Sequence, residues 1–290
     1  MDWSQIDTWP LAHLSRQVHG PVHRWHVQEA GEGPLILLLH GAGGSTHSFR
    51  DLIPLLAAQA RVVALDLPGQ GFTQFGARHH AGLQRMAEDI AALAQQEGWQ
   101  PSLIIGHSAG CAIALRLSQT LLSPRGQAPK VLGINAALGP FKGMAGILFP
   151  VMAKILAALP FSATLFSGAS ANPARTTALI SSTGSTLNAE GLELYRRLVA
   201  DRSHVDGTLL MMAQWDLTPL IRDLPQIAAE TVFLCGAQDA TVPPAVSQDA
   251  AARMPEAHVK IWDGYGHLMH EEAPDRVAEL ALGDCLGSDR

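Results

Sequence analysis

Apolar residues recur along the chain in short runs that end at glycine, proline or polar residues. Several runs are continuous rather than alternating, which is the pattern of strands covered on both faces. Between them lie segments with apolar residues three and four positions apart, which predict helices at 48–60, 83–98 and 109–122. The strand-like runs occupy residues 23–30, 34–41, 61–69, 101–108, 130–137, 231–239 and 258–266.

This alternation of strand and helix predicts an α/β protein with a mostly parallel central sheet flanked by helices. The exception is residues 140–228, which are helical in pattern and rich in methionine and phenylalanine. We interpret this segment as a helical cap inserted after the sixth strand. Residues 1–139 and 229–290 then form the core of a single domain.

Residues 143–166 of the predicted cap raise the question of a membrane span. The stretch has 24 residues and one charge, Lys154. Pro150 and Pro160 divide it into pieces too short to cross about 30 Å of hydrocarbon. We therefore expect membrane contact to be peripheral at most.

Composition narrows the classes of partner and cofactor. The 290 residues are 47% hydrophobic and 16% charged, which is enough for one large core. A formal charge of −6 and a pI near 6.1 provide no basic stripe, so nucleic acid is not an expected partner. The histidines and cysteines show no HExxH or CxxC spacing, and we expect no metal site. Three distant cysteines and an N-terminal segment without a signal-peptide pattern favour a reduced, cytoplasmic protein.

The sequence GHSAG at 106–110 places Ser108 between two glycines at the end of a predicted strand. A sharp strand-to-helix turn leaves no room for side chains two positions before and after its central residue. Such a turn exposes the serine at the carboxyl edge of the sheet, where open α/β sheets place reactive groups. The motif is weak by itself, so a nucleophilic Ser108 requires suitable partners elsewhere in the chain.

The first requirement is a pair of N–H donors for the oxyanion that forms when the serine attacks. We expect them to be the backbone N–H groups of Ala109 and of Ala42, in the glycine-rich sequence HGAGG at 40–44. His107, inside the turn, is expected to border the substrate site. Like His40, it is interpreted as hydrogen-bonded scaffolding rather than as a proton carrier.

The second requirement is a histidine that takes the serine proton and a carboxylate that orients it. Asp239 follows a predicted strand in GAQDATVPP, and His267 follows the last strand in GYGHLMHEEAP. The 28 residues between them hold one helix and one strand, which brings both loops to the same sheet edge. We predict that Ser108, His267 and Asp239 form a catalytic triad.

Other residues compete for these roles. His270 lies three residues beyond His267 and is expected to begin the terminal helix, and Asp263 lies four residues before His267. Asp66 ends a strand but precedes the serine, in a turn, DLPGQG, that loop geometry explains better. Cys111 is interpreted as a small core residue.

The motifs HGAGG, DLPGQG, GHSAG, GAQDATVPP and GYGHLMHEEAP occur in this order, and the chain resembles the α/β-hydrolases over essentially its full length. The sequences WHVQEAGEGP, GHSAGCAIALRL, GINAALGPF, STGSTL and LLMMAQWDL resemble, more narrowly, the BchO-type hydrolases linked to magnesium chelatase and bacteriochlorophyll synthesis. Where that family often carries HGTGAS, this chain has HGAGGS, which keeps the backbone donors and lacks one hydroxyl. The resemblance implies the α/β-hydrolase fold, a role in pigment synthesis and association with magnesium chelatase.

The activity that these residues indicate is hydrolysis of an ester or a similar acyl bond, without a cofactor. Epoxide hydrolases and haloalkane dehalogenases on this fold use a carboxylate nucleophile, which Ser108 replaces. Carbon–carbon bond hydrolases and cofactor-free haloperoxidases keep the serine and stay open as alternatives. A different class also stays open, an accessory protein of magnesium chelatase that binds a tetrapyrrole without turning it over.

The predicted cap carries apolar side chains suited to a broad pocket for a large flat or greasy ligand. The expected substrate is therefore a small apolar ester or a tetrapyrrole-like molecule. The alternative is that these side chains only seal the cap to the sheet. The predicted lining residues are Phe141, Met144, Met211, Met212 and Trp215.

Overall fold

The computed structural model describes residues 1–139 and 172–287, which form one eight-stranded sheet with helices on both faces. The strands are β1 Ser15–His19, β2 Arg24–Ala30, β3 Leu35–Leu39, β4 Arg61–Leu65, β5 Pro101–His107, β6 Lys130–Ile134, β7 Thr231–Gly236 and β8 Ala257–Trp262. Their order in the sheet is β1-β2-β4-β3-β5-β6-β7-β8. β2 runs antiparallel to β1 and β4, and every other pair is parallel. The expected mostly parallel sheet flanked by helices is confirmed.

The helices follow the strands in the order that the sequence pattern indicates. The α-helices of the described residues are α1 Leu52–Ala57, α2 Leu83–Glu97, α3 Ala109–Leu117, α4 Pro173–Ser181, α5 Ala189–Ala200, α6 Arg202–Gln214, α7 Thr218–Asp223, α8 Pro244–Ala251, α9 Met269–Glu272 and α10 Pro274–Leu280. Short 3-10 helices lie at Trp3–Thr8, Ala12–Leu14, Thr46–Phe49, Arg78–His80 and Leu224–Gln226, and a π-helix at Ala281–Leu286.

The sheet separates two apolar layers because neighbouring side chains on a strand point to opposite faces. In β3, Leu37 and Leu39 pack into the layer that contains α2 and α3. Ile36 and Leu38 pack into the layer that contains α1 and α10. Burial on both faces explains why the central strands are continuous apolar runs.

β1 is the strand that the hydrophobic pattern did not reveal. Its sequence, SRQVH, has one buried residue, Val18, because the strand lies at the sheet edge. The hydrophobic pattern shows five strand-like runs before residue 140, and β1 makes β6 the sixth strand. The segment interpreted as a cap follows β6, and α4 to α7 are its described helices. The division into core and cap stays a prediction.

A third apolar cluster connects the helices of this segment to the N-terminal residues and to the loops at the carboxyl edge of the sheet. Its members are Met1, Trp9, Phe72, Ile180, Leu194, Tyr195, Leu198 and Leu268. Ile180 belongs to α4, and Leu194 and Leu198 belong to α5. Leu268 directly follows the predicted base, so this packing reaches the candidate site.

Within residues 1–139 and 172–287, no helix has both the length and the apolar character needed to cross a membrane. Residues 143–166 and the predicted lining residues Phe141 and Met144 lie outside the described residues. Cys111, Cys235 and Cys285 are free and buried.

Candidate active site

Ser108 occupies a strained turn between β5 and α3. Its backbone has φ 51° and ψ −116°, a positive-φ conformation that non-glycine residues rarely adopt. A Cβ on Gly106 would lie 2.5 Å from the carbonyl oxygen of Gly110, and a Cβ on Gly110 would lie 2.2 Å from that of Leu39. Both glycines are therefore required by close backbone approach. Strain of this kind is concentrated at functional sites.

The Ser108 hydroxyl and two nearby backbone N–H groups are not used to hold the turn. Ser108 is the N-cap of α3 and makes no side-chain capping hydrogen bond within the described residues. Among the same residues, the N–H groups of Ala109 and Ala42 have no hydrogen-bond acceptor. For Ala109 this follows from its place as the first residue of a helix. A Cβ on Gly41 would lie 3.0 Å from Ser108 Cβ, so the loop that carries Ala42 runs against the serine.

The loop at 40–44 is held from beneath by His40, as the sequence predicts. The N–H of Leu67 donates to His40 Nε2 at 2.9 Å, so the imidazole proton is on Nδ1, which donates to the carbonyl of Gly41 at 2.7 Å. Burial lowers the pKa of His40, which favours this neutral form. His40 is therefore scaffolding.

The same loop is also held from above by a helix of the predicted cap. The N–H of Gly43 donates to Gln70 Oε1 at 2.7 Å. His204, in α6, accepts the N–H of Gly71 at Nδ1 and donates from Nε2 to the carbonyl of Gly43 at 3.2 Å. Burial lowers the pKa of His204 to about 4, so the ring is neutral. Sequence reasoning missed both: Gln70 lies in the DLPGQG turn, which was explained by loop geometry alone, and His204 lies in the predicted cap outside the quoted motifs.

The predicted acid and base contact each other. His267 Nδ1 lies 2.7 Å from Asp239 Oδ2, and both residues are buried. The other carboxylate oxygen of Asp239 accepts the N–H groups of Thr241 and Val242, each at 2.8 Å. These bonds fix the carboxylate, and the carboxylate orients the imidazole. Because Nδ1 is engaged, Nε2 is the nitrogen left to accept a proton from a serine hydroxyl.

His107 and His270 lie next to His267 but do not share its partner. His107 Nε2 donates to the carbonyl of His267 at 2.9 Å. Its ring centre lies 4.8 Å from that of His267 and 4.3 Å from that of His270. Burial holds the pKa of His107 well below its ordinary value and lowers that of His270 to about 3. Among the described residues neither nitrogen of His270 has a hydrogen-bond partner, which leaves it without a carboxylate to orient it.

The hydrogen bonds of Asp66 stabilise other loops and not the turn of Ser108. Its carboxylate accepts the N–H of Thr46 at 2.7 Å and of Phe72 at 2.8 Å, and lies 2.6 Å from His26 Nδ1. Burial raises the pKa of Asp66, but His26 and the N–H of Phe72 outweigh it and hold the pKa well below its ordinary value. Asp263, the other rival carboxylate, is exposed.

Asn135 is a site residue that sequence reasoning missed. Its Nδ2 donates to the carbonyls of Gly266 at 3.0 Å and of His267 at 2.8 Å, and its Oδ1 accepts the N–H of Gly236 at 2.8 Å. It therefore ties the end of β7 to the loop of the predicted base. The sequence signal that could have identified it is an asparagine directly after β6. Asparagine tolerates positive φ, and φ is 47° at this position.

The predicted lining residues fall into different environments. Met211 is 1% exposed, packs in the apolar layer with α2 and α3, and accepts a contact from Gln70 Nε2 to its sulfur at 3.0 Å. Met212 and Trp215 are half-buried, and Trp215 packs on the same layer.

One group of side chains in the described residues resembles a metal-binding set. His23, His80 and Asp89 offer ligand atoms that lie within 4.8 Å of one another. However, the N–H of Gly76 donates to His23 Nδ1 at 3.1 Å, so the imidazole proton is on Nε2, which lies 3.0 Å from Asp89 Oδ2. Binding a metal through Nε2 would require the opposite protonation. We therefore interpret the group as a hydrogen-bond network.

Known proteins of similar sequence indicate the family of this chain. The alpha/beta hydrolase family profile matches residues 36–280. Over 276 residues the chain is 46% identical to the magnesium-chelatase 30 kDa subunit of Rhodobacter capsulatus, covering 94% of this chain and 95% of that protein. Over 255 residues it is 27% identical to a pimeloyl-[acyl-carrier protein] methyl ester esterase of Xanthomonas oryzae, covering 88% and 96%.

Solved structures show the same fold. The epoxide hydrolase CorEH is similar with a TM-score of 0.79 and 19% identity, covering 95% of this chain and 99% of that one. An alpha/beta hydrolase fold protein from Burkholderia ambifaria is similar with a TM-score of 0.75 and 22% identity, covering 93% and 97%. At these identities the similarity concerns the fold and not the reaction.

Proposed function

The chain belongs to the α/β-hydrolase family, and we propose that it is a serine hydrolase that cleaves an ester or a similar acyl bond. Its narrower resemblance to the BchO-type members is confirmed by the 46% identity to the Rhodobacter capsulatus protein. The observation that carries the proposal is the 2.7 Å contact between His267 Nδ1 and Asp239 Oδ2. This pair lies beside the strained turn of Ser108, since His107 in that turn donates to the carbonyl of His267.

In the proposed reaction, Ser108 Oγ attacks the carbonyl carbon of the substrate and His267 Nε2 takes the serine proton. Asp239 stabilises the imidazolium that results. The N–H groups of Ala42 and Ala109 donate to the oxyanion, and the lack of another acceptor for either among residues 1–139 and 172–287 supports this role. His267 then protonates the leaving alcohol, and water hydrolyses the acyl-enzyme by the same route in reverse.

Labelling with a fluorophosphonate probe tests the proposal directly, because the probe reacts with activated serines. We expect one label, on the peptide that contains Ser108, and hydrolysis of p-nitrophenyl esters that stops once labelling is complete. Label on another residue, or continuing hydrolysis by fully labelled protein, would show that the nucleophile is misassigned.

A second candidate function follows from the relative that is named as a magnesium-chelatase subunit. In this alternative the chain binds a tetrapyrrole and assists magnesium chelatase in bacteriochlorophyll synthesis, in the cytoplasm, without catalysis. The half-buried side chains of Met212 and Trp215 supply apolar surface for such a ligand. We expect protoporphyrin to bind with micromolar affinity and to bind more weakly when Met212 or Trp215 is replaced by alanine. A flat fluorescence titration would remove this alternative.

A further inference from the structure

The segment Thr183–Thr186, which we call the bridging segment, connects α4 to α5 within the predicted cap. It lies between the loop that carries Asp239 and the loop that carries His267. The carbonyl of Thr183 accepts two N–H groups at 3.2 Å, one from Ala240 and one from His267 itself. A single oxygen thus joins the residue after the predicted acid to the predicted base.

Glycine makes this close approach feasible. A Cβ on Gly184, where φ is +83°, would lie 2.0 Å from the carbonyl oxygen of Gln238. A Cβ on Gly266 would lie 2.2 Å from the carbonyl carbon of Gly184. At Gly184 and Gly266 the bridging segment therefore approaches both loops backbone to backbone.

Ser185 adds a second connection, to the far side of the histidine loop. Its Oγ accepts the N–H of Leu268 at 2.8 Å and donates to Glu272 Oε2 at 3.0 Å. Glu272 also accepts the N–H of Gly266 at 3.1 Å and of Thr186 at 2.9 Å. The N–H groups on both sides of His267 are thus held by one serine and one carboxylate.

We propose that Ser185 and Glu272 are positioning residues, which lock the His267 loop onto the bridging segment and thereby align His267 with Asp239. This inference rests on the proposed hydrolase function, to which it adds a structural requirement. The sheet alone does not complete the site, because the acceptors of the N–H groups on either side of His267 come from the insertion between β6 and β7 and from α9.

The physical reason is that Ser185 is 2% exposed, so its polar contacts are made away from water. Removing its hydroxyl would leave the N–H of Leu268 without an acceptor and would take one of three hydrogen-bond donors from Glu272. The loop would then shift to regain partners. A displacement of about 1 Å at a catalytic group can reduce turnover by up to about 10²-fold.

Ser185→Ala tests the proposal, with Ser182→Ala as the matched control. Ser182 is exposed, and its hydroxyl donates only to Leu179 in the same helix end. For Ser185→Ala we expect kcat on a p-nitrophenyl ester to fall about tenfold to 10²-fold, with KM within about twofold of wild type. Ser182→Ala should match wild type in both.

Proton NMR supplies a readout that a purely structural role would not change. The Nδ1–H of His267, hydrogen-bonded to Asp239, should give a downfield resonance, assigned by its loss in His267→Ala. We expect this resonance to shift or broaden in folded Ser185→Ala and to stay in place in Ser182→Ala. Should Ser185→Ala fail to fold, Glu272→Gln replaces it, since it keeps the size and removes the charge that accepts from Ser185.

The outcomes separate the inference from the proposed function. If the wild type hydrolyses esters and Ser185→Ala leaves both kcat and the resonance unchanged, the positioning role is wrong. If the wild type hydrolyses no ester and takes no fluorophosphonate label, the proposed function is wrong. Even then, a His267 resonance that shifts in Ser185→Ala would support the inference that Ser185 positions His267, independently of any hydrolase activity.

Discussion

Among the described residues, the predicted triad can be compared with a second serine–histidine–aspartate arrangement, which lies outside the candidate active site. In this second arrangement, Ser15 Oγ lies 3.0 Å from His26 Nε2, and His26 Nδ1 lies 2.6 Å from Asp66 Oδ2. The histidine–aspartate contact of the candidate site is almost the same, at 2.7 Å. Three suitable residue types at hydrogen-bond distance therefore do not define a nucleophilic site.

The surroundings of the two serines are what differ. Ser15 begins β1 in an ordinary extended conformation, with φ −81° and ψ 134°, and its hydroxyl also accepts a hydrogen bond from Gln28. Ser108 lies in a strained turn at the N-terminus of α3. The N–H of the next residue, Ala109, and that of Ala42 in the adjacent loop have no acceptor in the described residues. Backbone strain and unpaired N–H donors, rather than hydrogen bonds among a serine, a histidine and an aspartate, therefore distinguish Ser108 from Ser15.

The largest expected effect comes from the serines. Ser108→Ala should abolish p-nitrophenyl ester hydrolysis, by on the order of 10⁴-fold or more, because it removes the nucleophile and no packing. Ser15→Ala should stay within about twofold in turnover and lose about 1 kcal/mol of stability, the net value of a hydrogen bond. Steady-state kinetics and urea unfolding measure both. Residual activity of Ser108→Ala within tenfold of wild type would place the nucleophile elsewhere.

The two histidines should also differ in their effect on activity. His267→Ala should lose activity to a similar extent, because no other described histidine contacts Asp239. His270→Phe should keep most of the activity, since Phe is apolar and can maintain the packing on Phe49 and His107. The assay compares kcat of the two folded variants. An inactive His270→Phe beside an active His267→Ala would reverse the assignment.

The aspartates provide the next comparison. Asp239→Asn should reduce kcat by up to about 10⁴-fold, because an amide favours the wrong imidazole tautomer of His267. Asp66→Asn should keep turnover near wild type and lower the melting temperature, because one amide oxygen cannot replace a carboxylate that accepts from Thr46, Phe72 and His26. Calorimetry measures the melting temperature of each variant, and steady-state kinetics on the same samples measures its kcat. Loss of turnover confined to Asp66→Asn would show that the second arrangement is the catalytic one.

The smallest expected effect concerns stability in acid. Burial lowers the pKa of His270 to about 3, from an ordinary value near 6.5. Below pH 6.5 the unfolded chain binds a proton that the folded chain does not, so stability falls as pH falls. Between pH 6.5 and 5 the wild type should lose about 1.6 kcal/mol of unfolding free energy more than His270→Phe. Urea unfolding at several pH values measures this difference, and parallel pH curves for the two proteins would contradict it.

Local features of the candidate site were predictable from the sequence alone. Gly106 and Gly110 lie within two residues of Ser108, and the steric demand that they satisfy is confined to one turn. The parallel strands were recognisable because a strand buried on both faces requires a continuous run of apolar residues. β1 was not, because an edge strand buries only Val18.

Sequence order also narrowed the acid and base to Asp239 and His267, but it left their contact as an expectation and the roles of Asn135, Ser185 and Glu272 unseen. Those three residues hold the His267 loop from β6, the bridging segment and α9. The contact of Ser185 with Leu268 joins residues 83 positions apart, and that of Asn135 with His267 spans 132. The hydrophobic pattern determines which residues are buried, whereas only the tertiary structure decides which polar atoms meet, because hydrogen bonds depend on distances and angles between separate elements.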